Sequence, residues 1–149
     1  MERYRKVKSE RVILASDHAG FKLKEEIKKF LIRKRKKVLD LGTKNNSSVD
    51  YPDYAHLLSK KMKNTKNQFG ILICGSGTGM SMAANKHKNI RAALCYDTKS
   101  TKLSRLHNNA NVMTMGSRLI KKNVALKCVN TFLQTNFDGG RHVRRIKKI

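Results

Sequence analysis

The sequence predicts an α/β fold of three layers: a five-stranded parallel sheet with helices on both faces. Three observations predict it. Five short apolar runs recur along the 149 residues with helical segments between them. One run, Phe69-Gly-Ile-Leu-Ile-Cys74, is apolar throughout, as expected of a strand covered on both faces. The alternation itself gives βαβα units of a size that pairs strands in parallel through crossover helices.

Taken in order, Val12-Ile-Leu-Ala15 is the first strand. Leu23, Ile27, Phe30 and Leu31 follow at i, i+4, i+7, i+8, one apolar stripe of a helix whose other face is charged. Val38-Leu-Asp-Leu41 is the second strand, stopped by Gly42, and a polar loop over 43–48 leads to Pro52. That proline suits the first turn of a helix carrying Tyr54, Leu57, Leu58 and Met62. After the Phe69–Cys74 strand come a small-residue helix from Met80 to Lys86 and a fourth strand, Ile90–Tyr96. A helix from Thr101 to Asn109 precedes the last strand, Asn111–Met115, which Gly116 ends. The final helix runs near Lys121 to Thr135, with Val124, Cys128, Val129, Phe132 and Leu133 facing inward; a basic tail follows from Gly139 to Ile149. The predicted architecture is Rossmann-like, a single domain over 11–149 preceded by a basic N-terminal extension, 1–10.

Composition narrows the function. No run approaches the roughly 18 apolar residues of a membrane span. The basic start is not followed by the apolar core of a signal peptide, so a cytoplasmic protein with no membrane partner is expected. Cys74, Cys95 and Cys128 are widely spaced and odd in number, which suggests neither a disulfide framework nor a zinc site. Cys95 and Cys128 read as small buried hydrophobes. The net charge of +24 suits an anionic ligand. Nucleic-acid binding is the sharper reading of that charge, but aromatics are only 6% and do not interleave with the basic residues. A specific nucleic-acid partner is not expected.

In a parallel sheet ligands sit beyond the carboxyl ends of the strands. Those ends carry Ser16-Asp17-His18, Gly42-Thr43, Cys74-Gly75-Ser76, Tyr96-Asp97 and Gly116-Ser117-Arg118. The turn Cys74-Gly-Ser-Gly-Thr-Gly79 matches neither the GxxxxGK[ST] nucleotide loop nor GxGxxG, since Met80 and Met82 stand where the last glycine belongs. What remains is a strand, a cysteine, three alternating glycines and a helix. This presents backbone N–H groups to an anion or a developing oxyanion. It also sets a thiol where a helix start favours thiolate. A buried structural cysteine beside a tight turn fits the same pattern. A lone Asp17-His18 pair is more often a surface pair than a catalytic one, and His107 near a helix end reads as a cap or as a functional residue. Arg118, Arg141, Arg144 and Arg145 are either solvated or suited to gripping phosphate.

Together these stretches resemble the ribose-5-phosphate isomerase B family, which includes the galactose-6-phosphate isomerase subunits. The resemblance rests on Ser16-Asp-His-Ala-Gly-Phe-Lys-Leu-Lys-Glu25, Asp50-Tyr-Pro-Asp-Tyr54 and Gly70-Ile-Leu-Ile-Cys-Gly-Ser-Gly-Thr-Gly-Met80. It continues through Ala83–Lys86, Ile90-Arg-Ala92, Ser104-Arg-Leu-His-Asn108, Gly116-Ser-Arg118 and Gly139-Gly-Arg-His142. It implies interconversion of D-ribose 5-phosphate and D-ribulose 5-phosphate through an enediolate, in the non-oxidative pentose phosphate pathway, without a cofactor or metal. By the same resemblance Cys74 is the base, because Met80 stands where another branch of the family carries a glutamate. Ser76 and the amides of Gly75, Gly77 and Gly79 would hold the enediolate. His107, assisted by Asp17, would open the furanose ring. His18, Arg118, Arg141 and Arg145 would hold the phosphate, and Tyr51 and Asn108 would contact the sugar. The family forms homodimers, sometimes tetramers, with shared sites. A hexose 6-phosphate isomerase acting on allose or galactose 6-phosphate is the alternative; a basic nucleic-acid-binding protein is a remote one.

Overall fold

The apolar runs become strands where the sequence places them. In a computed structural model describing residues 11–63, 65 and 67–149, these are β1 (Arg11–Ser16), β2 (Lys37–Asp40), β3 (Gln68–Cys74), β4 (Ala92–Leu94) and β5 (Val112–Gly116). The basic extension expected over 1–10 lies outside the described residues. The sheet has the order β2-β1-β3-β5-β4, and every pair is parallel.

All seven residues of central β3 are buried, and period-2 geometry sends them to two cores. Ile71 and Ile73 join Leu23, Ile27 and Leu31 of α1 (Phe21–Arg33) and Ala125, Cys128, Val129 and Phe132 of α5 (Lys122–Gln134). Leu72 and Cys74 face the other way, onto Ala55, Leu58 and Met62 from the α2 region (Tyr51–Lys61) and Met80 and Ala84 of α3 (Thr78–Ala84). Pro52 sits in the first turn of α2, as expected. The remaining helices are α4 (Thr98–Asn108), which packs against α5, and α6 (Arg141–Ile146).

From β1 the chain leaves by α1 on one face, and from β3 by α3 on the other. The carboxyl ends of these neighbouring strands therefore flank a crevice at a topological switch point, where ligands of such sheets bind.

Two expectations need correction. The fourth strand is Ala92–Leu94, not 90–96. It is an edge strand, and at its start the side chain of Asn111 accepts the Arg91 amide (2.8 Å) in place of a ladder bond. The basic tail is partly helical. Gly139 and Gly140 adopt φ of +67° and +56°, which only glycine tolerates easily, and they turn the chain so that α6 lies against α4.

One buried group is invisible in the helical pattern. Lys24, on α1, is 0% exposed, and its ammonium binds Asp40 Oδ2 (2.7 Å) and Glu25 Oε1 (2.8 Å). Asp40 also receives Lys28 (3.0 Å) and the Gly42 amide (2.9 Å). Gly42 O in turn accepts Ser16 N (2.7 Å), and Ser16 O accepts Thr43 N (2.9 Å). A buried ion pair so tied to the end of β2 fixes the backbone that precedes Asp17 and His18.

Candidate active site

The crevice between β1 and β3 is built by loops stitched to one another through the backbone. Asp17 N donates to Ile73 O (3.2 Å), Ser117 N to Cys74 O (2.8 Å), Arg118 N to Gly75 O (3.1 Å) and Ser117 Oγ to Ala19 O (2.8 Å). The Cys74 turn itself requires glycine. Gly77 has φ of +79°, and a side chain there would meet Leu94 at 2.6 Å and the Met115 carbonyl carbon at 2.7 Å. At Gly116 a Cβ would lie 2.6 Å from the Ser76 carbonyl group. So the turn is pressed against the end of β5, and Thr114 Oγ1 donates to Gly77 O (2.9 Å) to hold it there.

Within this frame Cys74 is 4% exposed and its Sγ accepts the Gly77 amide at 3.1 Å. Ser76 is exposed, and its Oγ accepts Thr78 N (3.4 Å). The Arg118 guanidinium lies over Gly75: a Cβ there would be 2.9 Å from Nη1. The Tyr51 ring lies over Gly79, with the hydroxyl 2.7 Å from the place of a Cβ. Both aromatic and cation approach the turn because glycine leaves the room.

His18 faces the same crevice end. Its Nδ1 accepts Val49 N (3.1 Å), so the neutral ring carries its proton on Nε2 and offers a donor there. Val49 precedes α2, so this bond also sets the start of the helix bearing Tyr51. The Asp17 carboxylate is 6% exposed and accepts the Gly20 amide (3.0 Å), which orders the turn into α1. Asp17, His18, Tyr51, Cys74, Gly75, Ser76, Gly77, Gly79 and Arg118 are thus brought to one edge of the sheet.

His107, Asn108, Arg141 and Arg145 are not. α4 starts after the carboxyl end of β4 and descends roughly 16 Å to the amino end of β5. Near that lower end Arg105, 7% exposed, donates from Nε to Thr135 O (3.1 Å) and from Nη1 to Asn109 Oδ1 (3.1 Å). Its guanidinium lies over the Phe69 and Phe132 rings, at 5.0 and 5.5 Å. This fixes the helix end, and Asp138 N donates to Leu106 O (3.1 Å) to bring α6 beside it. The His107 and His142 rings then stack at 4.4 Å, 17° from parallel. Asp17 and His107 therefore stand at opposite edges of one chain. Sequence order gave no sign of the stack, although His142 lies in the Gly139-Gly-Arg-His142 stretch. Nor did it indicate the Lys24–Asp40 anchor.

Burial pushes the Cys95 thiol up to about 11, and burial likewise raises Cys128.

Residues 12–149 match the family model described as Ribose/Galactose Isomerase. A relative from Mycoplasma pneumoniae, named "Probable ribose-5-phosphate isomerase B", is 47% identical over 139 residues, covering 93% of this chain and 91% of the relative. A crystal structure of a ribose 5-phosphate isomerase from Thermotoga maritima superposes with a TM-score of 0.90 at 50% identity, covering 93% of this chain and 96% of that one. The ribose-5-phosphate isomerase B of Mycoplasma genitalium, solved with bound ribulose-5-phosphate, gives a TM-score of 0.89 at 46% identity, covering 93% and 92%. Among the described residues no helix is long and apolar enough to cross a membrane. With a parallel α/β sheet, a glycine-framed cysteine at its switch point and these likenesses over nearly the whole length, the chain belongs to the Ribose/Galactose Isomerase family and is an isomerase.

Proposed function

We propose that the chain interconverts D-ribose 5-phosphate and D-ribulose 5-phosphate, with Cys74 as the base, as a metabolic enzyme of the cytoplasm acting in the non-oxidative pentose phosphate pathway. The observation that carries this reading is the Cys74 thiol under the Gly77 amide, in a turn roofed by Tyr51 and Arg118. Cys74 takes the C2 proton of the open-chain aldose and the C1 carbonyl oxygen becomes the enediolate oxygen. The proton then returns to C1 while the hydroxyl proton of O2 passes to O1, so that C2 becomes the ketone and C1 carries the hydroxyl. The intermediate bears negative charge, so preorganised donors lower its barrier. Amides of the 75–79 turn and the Ser76 hydroxyl are those donors. A base held against the carbon that loses its proton contributes about 10²- to 10⁴-fold.

The sugar in water is mostly a ring, so an acid–base group must open it first. His107 does this in our reading, with Asn108 beside it, and Arg141 and Arg145 joining Arg118 and His18 on the phosphate. One chain holds these groups at two sheet edges, so a complete site takes the Cys74 edge of one copy and the His107 edge of another. The working form is then a homodimer or a multiple of it, each site shared. Residues 11–149 are the whole isomerase domain, and 1–10 an appendage to it.

The test is conversion of ribose 5-phosphate by the purified chain, with allose 6-phosphate and galactose 6-phosphate alongside. Activity on the pentose alone supports the reading; activity on a hexose alone replaces the substrate. Cys74→Ala is expected to cut turnover by about 10²- to 10⁴-fold with KM little changed. Unchanged turnover would remove Cys74 from its role.

A further inference from the structure

We propose that His107, Asp138 and His142 form a site for a divalent transition-metal ion, zinc fitting best, and that its occupancy switches the enzyme off at ring opening. One donor atom from each of the three side chains lies within 4.8 Å of the others. Two imidazoles and a carboxylate, with water in the fourth position, make a tetrahedral zinc set. Zinc bonds of about 2.0–2.2 Å hold neighbouring donors roughly 3.3 Å apart. The three groups must therefore close by on the order of 1 Å. Asp138 is exposed and both histidines are only half-buried, so side-chain rotation supplies the movement.

The backbone beneath the three is already ordered. Asp138 N donates to Leu106 O (3.1 Å), next to His107, and His142 N to Gly139 O (3.1 Å). The two imidazoles are stacked with ring centroids 4.4 Å apart, so their nitrogens lie close together. Among the described residues Asp138 has no ion pair within 4.0 Å. The nearby arginines oppose a cation, so the ion is loosely held and removable by a chelator, unlike a permanent structural metal.

The binding stands on geometry alone, whereas the inhibition rests on the proposed role of His107. A metal on that ring occupies the lone pair that ring opening needs. Two readouts separate these. The metal-free full chain is titrated with Co²⁺ and its visible spectrum recorded. We expect saturable ligand-field bands without a sulfur charge-transfer band, displaced by Zn²⁺. Asp138→Asn and His142→Ala should each weaken Co²⁺ by about tenfold or more, with unchanged circular dichroism as the folding control. Absence of saturable binding, a sulfur band, or equal affinity in the double variant would overturn the site.

In the second readout Zn²⁺ should inhibit ribose 5-phosphate turnover, and chelation should restore it. Asp138→Asn should keep its basal rate and lose sensitivity to Zn²⁺. Binding without inhibition overturns the switch and counts against His107 as ring opener. If the wild-type chain lacks isomerase activity, the functional reading falls and the cobalt titration still decides the site.

Discussion

The two edges of the sheet are built on different principles. At the carboxyl edge, around Cys74, three glycines hold the geometry, and loops close against one another through backbone bonds. At the amino edge, around His107, a buried arginine clamps the end of α4, and a six-residue helix adds the rest. The first edge holds a buried thiol under a backbone amide in a glycine turn. The second holds imidazoles and arginines. On the proposed roles, Cys74 and His107 lie at different edges, with α4 running between them. One chain keeps these two groups of side chains apart, and the proposed shared site would unite them.

The sharpest way to break this comparison is to mix two dead variants. Cys74→Ala leaves the lower edge intact and His107→Ala leaves the upper. Each alone should fall by about 10²- to 10⁴-fold on cyclic substrate. For the proposed shared-site homodimer, joint unfolding and refolding makes half of a random population mixed, and each mixed dimer then has one site built from two intact edges. Activity should return to roughly a quarter of wild type. No recovery, with mixed dimers demonstrated by mass, would show that each site is drawn from a single chain.

A smaller effect should follow from disturbing the upper edge without touching a reacting group. Gly77→Ala puts a side chain at φ +79° and drives a Cβ against Leu94 and the Met115 backbone. Left-handed backbone costs a non-glycine residue about 1–2 kcal/mol, and overpacking adds about 1–3 kcal/mol. Thermal unfolding should report a stability loss of that order, and kcat should fall more than KM rises because the Cys74–Gly77 contact moves. The matching change at the lower edge, Gly140→Ala, meets no atom within 4 Å and carries only the backbone cost. Equal losses at the two sites would contradict the contrast.

How much of each edge could be read from sequence follows the same division. The inner strands β1, β3 and β5 were legible because both their faces are buried, so whole runs are apolar. The edge strands β2 and β4 are only partly buried, and the bounds of β4 were not legible. The upper edge was legible because a strand end and a glycine turn announce it. α6 was not, since it buries no residue of its own and exists through two left-handed glycines and the His107–His142 stack. Lys24 reads as one more surface lysine in a charged helix, and its partner Asp40 arrives only when β2 folds beside β1. The sequence pattern did not separate the lower-edge groups from Cys74; their separation follows from the direction of α4 between parallel β4 and β5, and the packing of α6 against it did not follow from anything local.

Lys24 supplies the subtlest separation between a group that positions and one that reacts. Burial alone would raise the Asp40 carboxyl, but Lys24, the Gly42 amide and Lys28 outweigh it and hold it below its ordinary value. A depressed carboxylate stabilises the fold at pH values above its unfolded pKa, and that contribution disappears as pH falls through the folded one. Stability should therefore decline as pH drops below about 4, the ordinary aspartate value. Lys24→Met removes the fully buried partner and leaves Asp40 with Lys28 and the Gly42 amide. Losing one partner of a buried pair costs about 3–5 kcal/mol, and the remaining partners put this site at the low end. The acid-sensitive component should shrink in the variant, because the Asp40 carboxyl then moves up towards its ordinary value. Turnover at the temperature where both proteins are folded should change by less than for Gly77→Ala, since Lys24 reaches Asp17 and His18 only through the Gly42–Ser16 backbone pair. Chemical denaturation followed from pH 3 to pH 7 checks the first expectation, and kcat and KM at a common low temperature check the second. An acid profile unaltered by Lys24→Met would mean that Lys28 and the Gly42 amide alone hold the Asp40 charge.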